Sequence, residues 1–82
     1  MIMQKDDVLA CVEILSENNR LIDAVEVMLL GEDIFERDIA TEPISKHLTE
    51  LENDGIIRSV GFSPERYNFN AYELMGVNDG SN

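Results

Sequence analysis

Val8, Val12 and Leu15 recur at i, i+4 and i+7 with Cys11 beside them, the spacing that lines one side of an α-helix. Asp6 or Asp7 opens this helix by accepting hydrogen bonds from its unpaired backbone donors. Asn18-Asn19, residues that tolerate left-handed backbone, close it. Leu9 and Ile14 flank the stripe, so only a lane through Ala10, Glu13 and Glu17 stays mostly polar. A second helix is predicted from about Arg20 to Leu30, with Leu21, Val25 and Met28 on one face and Asp23 and Glu26 opposite. Gly31 reads as the left-handed residue that stops it. Ile22, Val27, Leu29 and Leu30 overflow its apolar face. Two short helices that are apolar around most of their circumference exceed what a one-sided core needs. Either both are sandwiched inside the monomer or part of their surface forms a homodimer interface, and both readings stay open.

Glu32-Asp33 open a third, short helix with negative charge at its positive dipole end, and Ile34, Phe35 and Ile39 supply its buried face. After a turn at Ala40-Thr41, the run Thr41-Glu42-Pro43 combines a capping hydroxyl, an acid in the first turn and a proline where no donor is needed. Ile44, Leu48 and Leu51 then mark one helical face, and Asn53-Asp54-Gly55 ends it with glycine as the left-handed stop. Content turns β-branched over Ile56-Ile57-Arg58-Ser59-Val60-Gly61-Phe62. Ser63-Pro64-Glu65-Arg66 makes a turn. Tyr67 to Tyr72 alternates as a returning strand, with Tyr67, Phe69 and Ala71 on one side and Asn68 and Asn70 on the other.

Helix, turn, helix, hairpin is the order of a winged helix-turn-helix. The stretch Ile44-Ser45-Lys46-His47-Leu48-Thr49-Glu50-Leu51-Glu52-Asn53-Asp54-Gly55-Ile56-Ile57-Arg58 resembles the recognition helix and first wing strand of ArsR- and MarR-type repressors, and the resemblance covers about residues 33–72. It implies one α+β domain over residues 1–75, with three to four helices and a small antiparallel β-hairpin wing, and residues 76–82, which lack periodicity, read as a flexible tail. In those families the recognition helix enters the major groove of DNA. Carried over by position, Ser45, Lys46 and Thr49 would meet bases or phosphates, and Arg58 and Arg66 would flank the wing.

Charge complicates that picture. Six Lys/Arg against 17 Asp/Glu give a net charge of −11 and a pI near 4.1. Residues 1–40 carry ten acids and three bases, residues 41–70 five and three. Such a field repels phosphate backbones and favours a basic or neutral partner. At about 100° per residue, the face opposite Ile44, Leu48 and Leu51 holds Glu42, Lys46, Thr49, Glu50 and Asn53, which is one base among two acids. A DNA binder gains most of its affinity from Lys/Arg neutralising phosphates. Two partners are therefore expected as rivals: DNA, through the five residues above, or a basic protein, docking on Glu42 and Glu50 of the recognition helix and Glu13 and Glu17 of the first.

Catalytic chemistry is absent from the pattern. His47 has no companion ligand or nucleophile and reads as a structural or interfacial histidine. Cys11, the single cysteine, sits on an apolar face and reads as a small core residue. The pairs Asp6-Asp7 and Glu32-Asp33 fall at helix starts, where capping accounts for them, and Glu36-Asp38 fits no calcium loop. No enzyme activity, cofactor or metal is expected. No stretch approaches the roughly 20 apolar residues of a membrane span, and no signal peptide is read at the start, so a cytoplasmic location is expected.

Overall fold

A computed structural model describes residues 1–75; the tail expected over 76–82 lies outside the described residues. Three helices precede one β-hairpin: α1 (Lys5–Glu17), α2 (Ala24–Phe35), α3 (Thr41–Asn53), β1 (Ile57–Phe62) and β2 (Asn70–Leu74). The arrangement is α+β, a three-helix cluster with a two-stranded antiparallel sheet, and it is compatible with a winged helix. Between α1 and α2 the extended residue Ile22 bridges antiparallel to Tyr72, whose N–H donates to the Ile22 carbonyl at 2.9 Å. This single bridge ties the α1–α2 connection to the free side of β2.

All three helices pack on one another, and their apolar stripes meet in one core. From α1 come Val8, Cys11, Val12 and Leu15; from α2, Ala24 and Val27; from α3, Ile44, Leu48 and Leu51. Full burial of such side chains contributes about 1.5–3 kcal/mol each. The apolar excess of the first two helices is thus mostly sandwiched within the monomer, although Ile14, Leu29 and Ile34 remain exposed. Met3, upstream of α1, is fully buried as well.

Several boundaries differ from expectation. Gly31 does not stop the second helix. It lies inside α2, which starts at Ala24 rather than Arg20 and absorbs the expected third helix of Glu32 to Phe35. Gly31 is buried because Met3 and Ile39 close over it: a Cβ at this position would stand 2.8 Å from Met3 Sδ and 2.8 Å from Ile39 Cδ1. The left-handed residue that ends α2 is Glu36, with φ 57°. Its N-cap is Asp23, whose Oδ1 accepts from Glu26 N at 2.8 Å. At α1 the chain turns in at Gln4, and Asp7 reaches back to accept the Gln4 N–H at 3.1 Å. Thr41 is the first residue of α3 rather than its cap, which is Ala40. Other expectations hold: Asn19 is left-handed at φ 55° after α1, and Gly55 is left-handed at φ 78° after α3.

The hairpin is shorter on its return side than the alternation suggests. Ser63 N donates to the Phe69 carbonyl, and a second turn closes from Phe69 N to the Arg66 carbonyl. Tyr67 and Phe69 therefore belong to the connection, and β2 begins at Asn70. A bulge between Ser59 and Gly61 leaves Val60 without a partner on β2 and breaks the alternation of β1. Beyond it the strand turns its side chains to water: Val60 and Phe62 are both exposed.

Candidate macromolecule-binding surface

Burying Ile44, Leu48 and Leu51 fixes the roll of α3 and decides which residues face outward. Glu42, Lys46, Thr49 and Glu52 are exposed along its outer side, with Ser45 half-buried at the margin. The Thr49 hydroxyl donates to the Ser45 carbonyl at 3.1 Å, which ties it to its own helix. Glu50 lies beside His47, Oε1 to Nδ1 at 2.8 Å, and this hydrogen bond holds the Glu50 carboxyl below the usual range of a glutamic acid. His47 is mostly buried and makes no other ion pair among the described residues. Lys46 is the one cation on this face, and it makes no ion pair among the described residues. Glu13 and Glu17 stand exposed on the outer lane of α1, on a different helix from Glu42 and Glu50.

Four of the other five bases are turned to internal work, and the fifth, Arg37, lies just beyond α2 and makes no ion pair among the described residues. Lys5 bridges to Asp54, joining the start of α1 to the end of α3. Arg20 reaches Glu26 at 3.3 Å. Arg58, expected beside the wing as a phosphate contact, lies across the hairpin on Glu73. Arg66, expected there too, folds back from the wing connection onto the start of α2.

That last contact is a clamp. Asp23 is fully buried, and while its Oδ1 caps α2, its Oδ2 accepts from Ser63 Oγ at 2.9 Å and from Arg66 Nη1 at 3.1 Å. Arg66 Nη1 also lies 3.0 Å from Glu26 Oε2. Ser63 Oγ in turn accepts from the backbone N–H groups of Glu65 and Arg66, at 3.3 and 3.2 Å. Partial burial works to lower the Arg66 pKa, but hydrogen bonds to Asp23 and Glu26 outweigh it and the net shift is upward. A buried carboxylate is costly unless paired and hydrogen-bonded, and here it is both. Pattern reading missed Asp23 and Ser63. The only local signal was Asp23 standing three residues before Glu26 at a helix start.

With Arg66 drawn inward, two aromatic side chains stand in solvent at the β1–β2 connection, together with Glu65 and Asn68. Phe62 is 75% exposed and Tyr67 78%, with Val60 exposed nearby on the bulge. An acidic α3 therefore precedes a hairpin that exposes Phe62, Glu65 and Tyr67 at its connection. Cys11 is buried in the core, which raises its thiol pKa chiefly by desolvation, so it stays protonated and inert near neutrality. No group of three potential metal ligands occurs among the described residues, and none of their helices is long and apolar enough to cross a membrane. No family model, no curated protein and no solved structure matches the chain.

Proposed function

We propose that this chain is a small acidic regulator of winged-helix type that acts by docking on a basic protein partner. The element order, with Ile22 lending a third strand position to the hairpin, supports the winged-helix assignment. One observation carries the choice of partner. Four of the six cationic side chains, Lys5, Arg20, Arg58 and Arg66, are held in ion pairs within the chain, and of the other two, Arg37 and Lys46, only Lys46 lies on α3, the recognition helix of this reading. One neutralised phosphate corresponds to a salt slope of only about −0.9, far short of a DNA-binding interface. The glutamates of α3, Glu42, Glu50 and Glu52, and the exposed aromatics Phe62 and Tyr67 of the hairpin instead support a protein contact: acids that steer a basic partner and aromatic rings that can fill its pockets.

The test has two arms. In a mobility-shift titration with random-sequence duplex at low salt, the chain should give no saturable complex. In a capture experiment from lysate of the source cell, a basic protein should be retained, and retention should be lost in the variant Glu42→Lys/Glu50→Lys and in Phe62→Ala/Tyr67→Ala. Salt-dependent DNA binding that drops on Lys46→Ala would overturn the proposal. So would capture that is indifferent to both variants.

A further inference from the structure

The two most exposed rings of the hairpin are the direct chain neighbours of the two residues that hold its connection inward. Phe62 precedes Ser63, and Tyr67 follows Arg66. Pro64, Glu65 and Asn68 are exposed as well, so between Ser63 and Phe69 no apolar side chain is buried to fix the chain. The inward contacts of this stretch are polar. Ser63 Oγ donates to Asp23 Oδ2 and accepts the N–H groups of Glu65 and Arg66. Arg66 Nη1 sits between Asp23 Oδ2 and Glu26 Oε2, 3.1 and 3.0 Å away. Asp23 is buried and committed through Oδ1 to the start of α2.

Capping α2 requires one carboxylate oxygen and no burial. Burying the second oxygen against an arginine is a poor source of stability, because such a pair gains little over apolar packing; what it fixes is one arrangement of the groups it joins. Here those groups are the start of α2 and the β1–β2 connection. We propose that the Asp23–Ser63–Arg66 cluster is a positioning device for Phe62 and Tyr67, which holds both ring-bearing positions in place before any partner arrives. What the rings are held for rests on the protein-docking function proposed above; that they are held does not. A connection ordered in advance loses no freedom on binding, and affinity gains accordingly. Arg66 thus favours recognition of a basic partner although its own charge opposes it.

The first test needs no partner. Arg66→Gln and Ser63→Ala each leave the Asp23 cap in place. By backbone amide NMR relaxation on the free chain, order parameters over residues 65–69 should fall from about 0.85 to below about 0.6 in each variant, while those of α3 stay unchanged. Arg66→Lys should keep the wild-type values, because one nitrogen, Nη1, makes both carboxylate contacts and an ammonium can take its place. Unchanged order in both variants, or an equal loss of order in α3, would overturn the proposal. The second test uses a Lys/Leu-rich amphipathic peptide as probe, titrated calorimetrically. Arg66→Gln makes a chain of net charge −11 more negative, so charge alone predicts tighter binding. Positioning predicts the opposite sign: binding about tenfold weaker, restored by Arg66→Lys. If Phe62→Ala/Tyr67→Ala abolishes peptide binding, the rings carry it, and equal or tighter binding by Arg66→Gln then overturns the proposal. Unchanged binding in the double variant sinks the docking function instead, and the relaxation data alone decide the role of the cluster.

Discussion

Replacing Asp23 by alanine removes the N-cap of α2, the acceptor of the Ser63 hydroxyl and one of the anions on Arg66 in a single step. Loss of a cap costs about 1 kcal/mol. The buried Ser63 hydroxyl, left without its acceptor, adds about 1 kcal/mol or more. Removing one partner of a fully buried ion pair costs about 3–5 kcal/mol. Arg66 is partly exposed and keeps Glu26, so only about 1–2 kcal/mol of that applies here. The sum is about 3–4 kcal/mol. A chain of 82 residues has a total stability of roughly 4–12 kcal/mol, so Asp23→Ala should leave the protein marginally folded. Urea unfolding followed by circular dichroism reads the effect directly: at an m-value near ~1 kcal/mol/M the midpoint falls by about 3 M.

Two companion variants identify the cause. Asp23→Asn keeps an oxygen for the Glu26 N–H but presents an amide donor to the Arg66 donor, so it should cost about 2 kcal/mol, with the cap retained. Asp23→Ala combined with Ser63→Ala should cost less than the two singles added, with a coupling of at least ~1 kcal/mol. An Asp23→Ala penalty below ~1 kcal/mol, or strict additivity with Ser63→Ala, would mean that the clamp contributes nothing and that the wing is held by its apolar contacts alone.

Gly31→Ala gives up nothing in helix propensity and should gain about 1 kcal/mol if the site were open. Because its new methyl meets Met3 Sδ and Ile39 Cδ1, overpacking of about 1–3 kcal/mol should turn the change neutral or destabilising, and a gain in urea midpoint would refute the packing account. Glu50 has its folded pKa lowered by the hydrogen bond from His47, so its stabilisation is fully present above the unfolded value of about 4.3 and disappears as pH falls through the lower folded value. The thermal midpoints of wild type and Glu50→Gln should therefore differ near neutrality and converge on acidification below that value; a gap that persists to low pH would contradict it.

What the sequence made legible follows from where the determining contacts lie. Helix α3 could be read almost to the residue, because its buried stripe and its stop at Gly55 are properties of one contiguous segment. Helix α2 was cut short because glycine carries two meanings. It supplies left-handed backbone, and it permits close approach, and only the second applies at Gly31. The atoms that approach belong to Met3 and Ile39, outside the helix, and nothing within α2 reports them. The true end falls at Glu36, a residue type that gives no local sign of left-handed backbone. The candidate site shows the same limit. Lys46, Thr49 and Glu42 face outward as the helical spacing requires, whereas Arg66 is taken from the surface by a carboxylate 43 positions away.

The fate of the cations links that limit to function. Lys5 reaches across 49 positions to Asp54, Arg66 across 43 to Asp23 and Arg58 across 15 to Glu73. These pairs join α1 to α3, the wing to α2, and β1 to β2. Exposed pairs of this kind contribute little each, but the pairing with Asp23 neutralises a charge that burial would otherwise make expensive. In a chain with 17 acids and six bases, cations placed for cohesion are cations withdrawn from any phosphate. A winged helix built to hold DNA needs the reverse: bases outside the fold's own ion pairs, on α3 and along the wing. Here the hairpin's arginines pair with Glu73, Asp23 and Glu26 while Phe62 and Tyr67 stay exposed, and under the function proposed above, exposed aromatic rings on so acidic a chain suit a basic, apolar protein surface better than a nucleic-acid backbone.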